Sequence, residues 1–182
     1  MAEPWMALRP YRFALIGAMA ANRYMAPRYS ADVDLAILAA DAQRVEADLA
    51  SAGWTLRGEL VMTDLTGTSW SDPSGQQVDL IHLPGSWGEP ALTAAAANVI
   101  GQVPTVTLPF LVFMKLLAAR AKDTADVEEL LVGKSRARID EVREVVRRYG
   151  RPDDIEDLEQ IIELAAWRSS PGRGGGRASG RG

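Results

Sequence analysis

Two spacings of apolar residues divide the chain. Up to residue 107 they fall mostly in short runs rich in branched and aromatic side chains. From residue 108 they recur every three to four positions. The first pattern predicts strands, the second amphipathic helices. YRFALI reads as a short buried strand, and Gly17 then permits a sharp turn. AMAANRYM has helix-forming composition, starting at that glycine and ending before Pro27. DVDLAIL reads as a second strand. DAQRVEADLASAG reads as a helix with a start signal at Asp41 and a stop signal at Gly53. Residues 54–70 hold strand-like pieces broken by Gly58 and Gly67. TSW and QQVDLIHL flank the turn SDPSG, which is a hairpin signal. WGEPALTAAAANV reads as a helix and PTVTLP as a short extended link. LPFLVFMKLLAARAK, DTADVEELLVG, ARIDEVREVVRRYG and PDDIEDLEQIIELAAWR all carry helical spacing.

A strand-rich first part and a helix-rich second part predict an α+β fold: a small mixed sheet flanked by helices, then a helical C-terminal part. The expected organisation is a core over 1–107, helices over 108–168 and a Gly/Arg tail over 169–182. No internal repeat is present.

Composition narrows the chemistry. The chain has 182 residues, 47% of them hydrophobic, and no cysteine. A disulfide scaffold, a thiolate zinc site and a cysteine nucleophile are excluded. His82 is the one histidine, so a histidine-rich metal site is excluded too. Acids number 24 against 20 Lys and Arg, a formal charge of −4. Arg173, Arg177 and Arg181 lie in the tail; without them the balance is 17 basic residues against 24 acidic. A net acidic body argues against broad electrostatic binding of nucleic acid. The tail composition fits a solubilising segment, or a weak RNA-binding arm. The start of the chain resembles a secretory signal only loosely. Its apolar run is short, Gly17 interrupts it, and Glu3 sits in the would-be basic region. No run approaches membrane-spanning length, because Lys115 breaks the longest candidate. The expected location is cytoplasmic.

The stretch from Gly17 to Asp34 carries the most information. A strand runs into a helix at Gly17-Ala18, and the first turn of a helix offers unpaired N–H groups to an anion such as phosphate. Asp32 and Asp34 follow in an apolar strand-like run. Side chains at i and i+2 of a strand share a face, and two adjacent carboxylates repel unless a cation neutralises them. Such pairs suit hard cations such as Mg²⁺. Asp79, in VDLIHL, is a third strand-borne acid. Two carboxylates on one strand and a third on another form the layout of two-metal phosphoryl chemistry. Solvent-facing acids on an edge strand are the plain alternative for each. Other acid-x-acid pairs, such as Glu46/Asp48, fall in helical segments and read as solvated charge.

FALIGAMAANRYMAPRYSADVDLAIL resembles the first motif of the polymerase-beta-type nucleotidyltransferases. It is most similar to small prokaryotic members of the AbiEii and MNT kind, which often occur in toxin–antitoxin modules. Gly17-Ala18, Arg28, Ser30, Asp32 and Asp34 match in order. QQVDLIHL resembles the strand of the third carboxylate. The segment with Lys115, Asp123 and Asp126 resembles a later part, and the likeness spans roughly residues 10 to 133. Two positions depart: Ala18 stands where Ser or a second Gly is common, and Ser30 stands for Thr.

The resemblance implies that Asp32, Asp34 and Asp79 bind two Mg²⁺ ions, with Asp79 also acting as a base. It implies that Gly17, Ala18, Arg28, Ser30, Lys115, Asp123 and Asp126 form the nucleotide-binding set. The implied reaction moves NMP from an NTP to a hydroxyl on a tRNA 3′ end, a protein side chain or a small molecule. A cognate toxin or antitoxin protein is an implied partner. A second reading, favoured by Ala18, is a binding partner that keeps the fold without turnover; the intact acids count against it. Read alone, Lys115 is a snorkelling helix lysine, Asp123 an N-cap and Asp126 a first-turn acid. His82, three residues after Asp79, belongs on the opposite face and reads as structural. Arg136, Arg138, Arg143, Arg147 and Arg148 form a basic helical stretch. It reads as a solvated face, or as a contact surface for RNA or a partner.

Overall fold

The computed structural model describes residues 4–30, 32–118 and 121–170. The tail from residue 171 onward, with its three arginines, and Glu3 lie outside the described residues.

The fold is mixed α and β. Its strands are β1 (Phe13–Leu15), β2 (Val33–Leu38), β3 (Thr55–Val61), β4 (Thr66–Ser71) and β5 (Gln77–Leu83), with a small separate pair, β6 (Val99–Ile100) and β7 (Val103–Pro104). The helices are α1 (Gly17–Ala21), α2 (Ala42–Ser51), α3 (Gly85–Ala96), α4 (Leu108–Ala118), α5 (Ala121–Leu131), α6 (Arg136–Tyr149) and α7 (Pro152–Ser169). The main sheet runs in the order β1-β2-β5-β4-β3. Only β2 and β5 are parallel; every other neighbouring pair is antiparallel.

The central strands are buried on both faces, as their near-continuous apolar runs require. Leu35 and Leu80 on one face and Ala36 and Ile81 on the other are all buried. β3 closes one edge and is largely exposed. The pairing of β3 with β4 slips between Leu56 and Gly58, so Gly58 marks a bulge rather than a strand end. Gly67 does not break its strand either: a Cβ there would stand 2.1 Å from the carbonyl oxygen of Leu80. The glycine lets two strands meet. The expected link PTVTLP instead opens as β7, turning back on β6 through Gly101 and Gln102, both at positive φ.

The helix expected over AMAANRYM stops at Ala21. The Asn22 side chain replaces the lost helical bonds by bracketing Arg28: Nδ2 donates to the Arg28 carbonyl at 2.8 Å, and the Arg28 N–H donates to Oδ1 at 3.0 Å. Asparagine side chains offer the backbone this alternative to a helix. Asp41 precedes α2 without a capping hydrogen bond and pairs with Arg44 instead. The four C-terminal helices form where expected, with α4 buried on nearly all sides. No described helix is long and apolar enough to cross a membrane.

Candidate active site

The site grows from strand register. β2 and β5 run parallel with Asp34 opposite Asp79, so both carboxylates leave the sheet on one face. β4 adds Ser69 opposite Asp79. The Ser69 hydroxyl donates to Asp79 Oδ1 at 2.7 Å, and Gln77 Nε2 approaches the same oxygen at 3.4 Å. Oδ2 of Asp79 takes no hydrogen bond from the described residues.

Gly17 stands over this row. Its φ is +64°, and a Cβ there would lie 1.8 Å from Asp34 Oδ2. The strand-to-helix turn therefore rests directly on the carboxylate. Glycine is needed twice, for the backbone angle and for the space. The Ile16 N–H donates to the Asp34 carbonyl at 2.9 Å and locks the turn to β2. α1 is five residues long. It presents the unpaired amides of a first turn but little macrodipole.

Gly17, Asp34 and Asp79 line a cavity of about 430 Å³ together with Lys115 and Asp123. Leu60, Met62 and Leu65 give it an apolar wall from the β3–β4 hairpin, and Leu111 and Met114 of α4 give another. Arg151 at the start of α7 reaches Asp64 in that hairpin loop at 2.7 Å, tying the wall to the helices.

Lys115 does not snorkel. Its side chain is 9% exposed, and Nζ lies 2.6 Å from Asp126 Oδ2 and 3.3 Å from Asp123 Oδ1. Asp123 falls inside the first turn of α5 rather than at its cap. Asp126 also receives Arg28, whose two terminal nitrogens approach its two oxygens at 2.6 Å each. Burial pushes the Asp126 carboxyl up, but hydrogen bonds from Arg28 and Lys115 and their charges outweigh it and hold it below the usual range. The Asp126 hydrogen bond holds the Arg28 guanidinium above its usual value.

Asp32 departs from the expected strand pair. It occupies an exposed bend before β2, because the ladder to β5 begins at Val33 opposite Val78. The Ser30 hydroxyl donates to the Asp32 carbonyl at 3.3 Å. Arg28, Ser30, Ala18, Asp32 and Asp126 are not among the residues lining the cavity. Among the described residues, no group of three or more acidic or histidine side chains is gathered tightly enough to hold a metal. The donor set nonetheless suits a hard cation. It comprises two carboxylates in register, with Asp32 the outlying third.

His82 does face away from the acids. Its register partner on β4 is Thr66, one residue out of phase with Ser69. Nε2 lies 3.3 Å from Glu46 Oε1 without hydrogen-bond geometry. Burial lowers its pKa, and the Glu46 charge only partly offsets that. The basic stretch on α6 is not an open cationic face. Arg143 and Arg147 reach Glu159 of α7, Arg138 reaches Glu141, Arg136 reaches Asp140, and Arg148 lies over the Tyr149 ring.

Ser69, Asn22 and the hairpin wall were not singled out from sequence. Counting outward from the SDPSG turn pairs Ser69 with Gln77, on the face of Asp79 but two residues short of it; the ladder closes one pair further in, at Ser71 and Gln77, and so sets Ser69 opposite Asp79.

The chain matches no family model and no curated protein. Two solved structures are similar in outline. One is the solution structure of the antibiotic-resistance factor ANT(2'')-Ia, with TM-score 0.47 and 15% identity over 88% of this chain and 85% of that chain. The other is the crystal structure of ANT(2'')-Ia in complex with adenylyl-2''-tobramycin, with TM-score 0.43 and 15% identity over 90% of this chain and 91% of that chain.

Proposed function

We propose that the protein is a nucleotidyltransferase, moving the NMP of an NTP onto a hydroxyl acceptor. The observation that carries this is the register pair Asp34–Asp79 beneath the Gly17 turn, in one cavity with Lys115. Asp34 and Asp79, joined by Asp32, would hold Mg²⁺. When bound, the metal supplies charge neutralisation at the triphosphate and lowers the pKa of a coordinated hydroxyl.

The chain's residues do the rest. The Gly17 amide, which lines the cavity, donates to a phosphate oxygen; this contact needs no side chain, so it does not depend on a hydroxyl at position 18. Lys115 meets the negative charge from the α4 side. Asp79 takes the acceptor's proton on Oδ2, while Ser69 fixes its orientation through Oδ1. The acceptor oxygen bonds to the α-phosphorus, the bond from that phosphorus to the bridging oxygen breaks, and pyrophosphate leaves. The apolar wall excludes water from the α-phosphorus, which limits hydrolysis in place of transfer. The catalytic contribution is positioning and charge stabilisation.

Transfer of label from α-³²P NTPs with Mg²⁺ tests this, offered to total RNA, protein extract and a panel of hydroxyl-bearing small molecules. The expected result is label on one acceptor class, absent with Asp32→Ala/Asp34→Ala. No transfer to any class, with no Mg²⁺-dependent NTP binding, contradicts the proposal.

A further inference from the structure

The sheet fixes two of the three acids and leaves the third to something else. Asp34 and Asp79 are set by ladder register. Asp32 stands in a bend outside the ladder, beyond the turns and irregular backbone of residues 22–30. That segment is held from several sides. Asn22 brackets Arg28. Lys134 donates to the Tyr24 carbonyl at 2.5 Å, and the Tyr24 hydroxyl donates to the Val106 carbonyl at 3.0 Å. Nearest to Asp32 in sequence is the fork of Arg28 on Asp126.

We propose that the Arg28–Asp126 pair is a clasp that positions Asp32 from outside the cavity, making Arg28 a positioning residue and not a phosphate ligand. The inference rests on the function proposed above. Lys115 and Asp123 line the cavity; Arg28 and Asp126 do not. The Asp126 side chain is 6% exposed and held by two cations at once, while Arg28 remains 44% exposed. A buried carboxylate with both oxygens engaged is a fixed post, and the half-exposed arginine is the arm that reaches it. The planar guanidinium satisfies both oxygens together, which a lysine ammonium cannot. From the arm, Arg28's backbone is joined to Asn22, and two residues on the Ser30 hydroxyl holds the Asp32 carbonyl. α5 thereby sets the place of an acid that the sheet leaves loose.

The test uses the full chain and Mn²⁺ alone, titrated by its paramagnetic effect on water protons. Arg28→Met should weaken Mn²⁺ binding roughly tenfold or more, the scale on which outer-shell partners act on metal sites, and Arg28→Lys should recover only part of it. In an Asp32→Ala background, Arg28→Met should have no further effect, because the clasp acts through Asp32. Hydrogen exchange over residues 22–30 should speed up in Arg28→Met while β5 stays protected, which also shows that the variant folds. Unchanged Mn²⁺ affinity with a raised KM for NTP would overturn the proposal and make Arg28 a phosphate ligand. A further loss in the Asp32→Ala background would overturn it as well. If the unmodified protein binds no Mn²⁺, the nucleotidyltransferase reading fails on its own. Hydrogen exchange then decides the clasp: unchanged rates over 22–30 overturn it, and faster rates sustain it.

Discussion

The two faces of the main sheet are built from alternate residues of the same strands, and they treat polar groups in opposite ways. On one face, Ser69, Asp79 and Asp34 form a row that opens into the cavity under Gly17. On the other, Thr68 and His82 meet Glu46 of α2, with Trp70 beside Thr68. Trp70 Nε1 donates to Thr68 Oγ1 at 3.0 Å, and Thr68 Oγ1 donates to Glu46 Oε1 at 2.9 Å. The second face satisfies its polar groups mainly among themselves. The first gathers like charges in an open cavity, an arrangement that stability alone does not select. A one-residue phase along a strand therefore separates chemistry from scaffold.

That contrast can be broken experimentally. The largest effect is expected for Lys115→Met, which takes from the buried Asp123 and Asp126 the ammonium they share. Breaking a buried pair this way costs about 3–5 kcal/mol, read as a lowered urea midpoint. A loss near zero would show that these acids are not charged in place. Next, Asp79→Asn should cut label transfer about a thousandfold, matching several kcal/mol of lost charge stabilisation, with little change in thermal unfolding. Gly17→Ala should cost about a hundredfold in kcat, since the new Cβ must displace the Asp34 carboxylate or the turn. Thr68→Val, on the opposite face, should lower stability by about 1 kcal/mol and leave transfer unchanged; a large loss of transfer would erase the distinction between the faces.

The smallest expected effect is a pH dependence. His82 has a depressed pKa in the fold, so the unfolded chain binds its proton first. Stability is complete above the unfolded histidine value, about 6.5, and is lost as pH falls through the lower folded value. The shallow drop in Tm on acidification below neutrality should be absent in His82→Leu. A drop of equal size in that variant would assign it to other groups.

Sequence made one level of this organisation legible and hid another. Period-2 and period-3.6 spacing placed the strands and the four C-terminal helices, because burial of one face imposes those periods. The opposite facing of Asp79 and His82 followed from the same arithmetic. The pairing of β2 with β5 did not, because it joins segments 45 residues apart in register, and local spacing carries no record of a neighbour. Asp32 was expected to share the strand with Asp34, yet the ladder starts one residue later. α1 was expected to run to Pro27, but Asn22 offered its side chain to Arg28 and ended it. The segment from 54 to 70 looked broken at two glycines that in fact serve a bulge and a close strand contact. In the helical part, Lys115, Asp123 and Asp126 were visible as residue types, while their mutual pairing depended on how α4 meets α5.

The most direct test of the central claim is calorimetric binding of a non-hydrolysable NTP analogue, with and without Mg²⁺, to the unmodified protein, to Asp34→Asn/Asp79→Asn and to Thr68→Val. The account predicts binding that requires Mg²⁺, is lost in the double variant and survives in Thr68→Val. Binding that is absent from the unmodified protein, or that persists undiminished without the two aspartates, would contradict it.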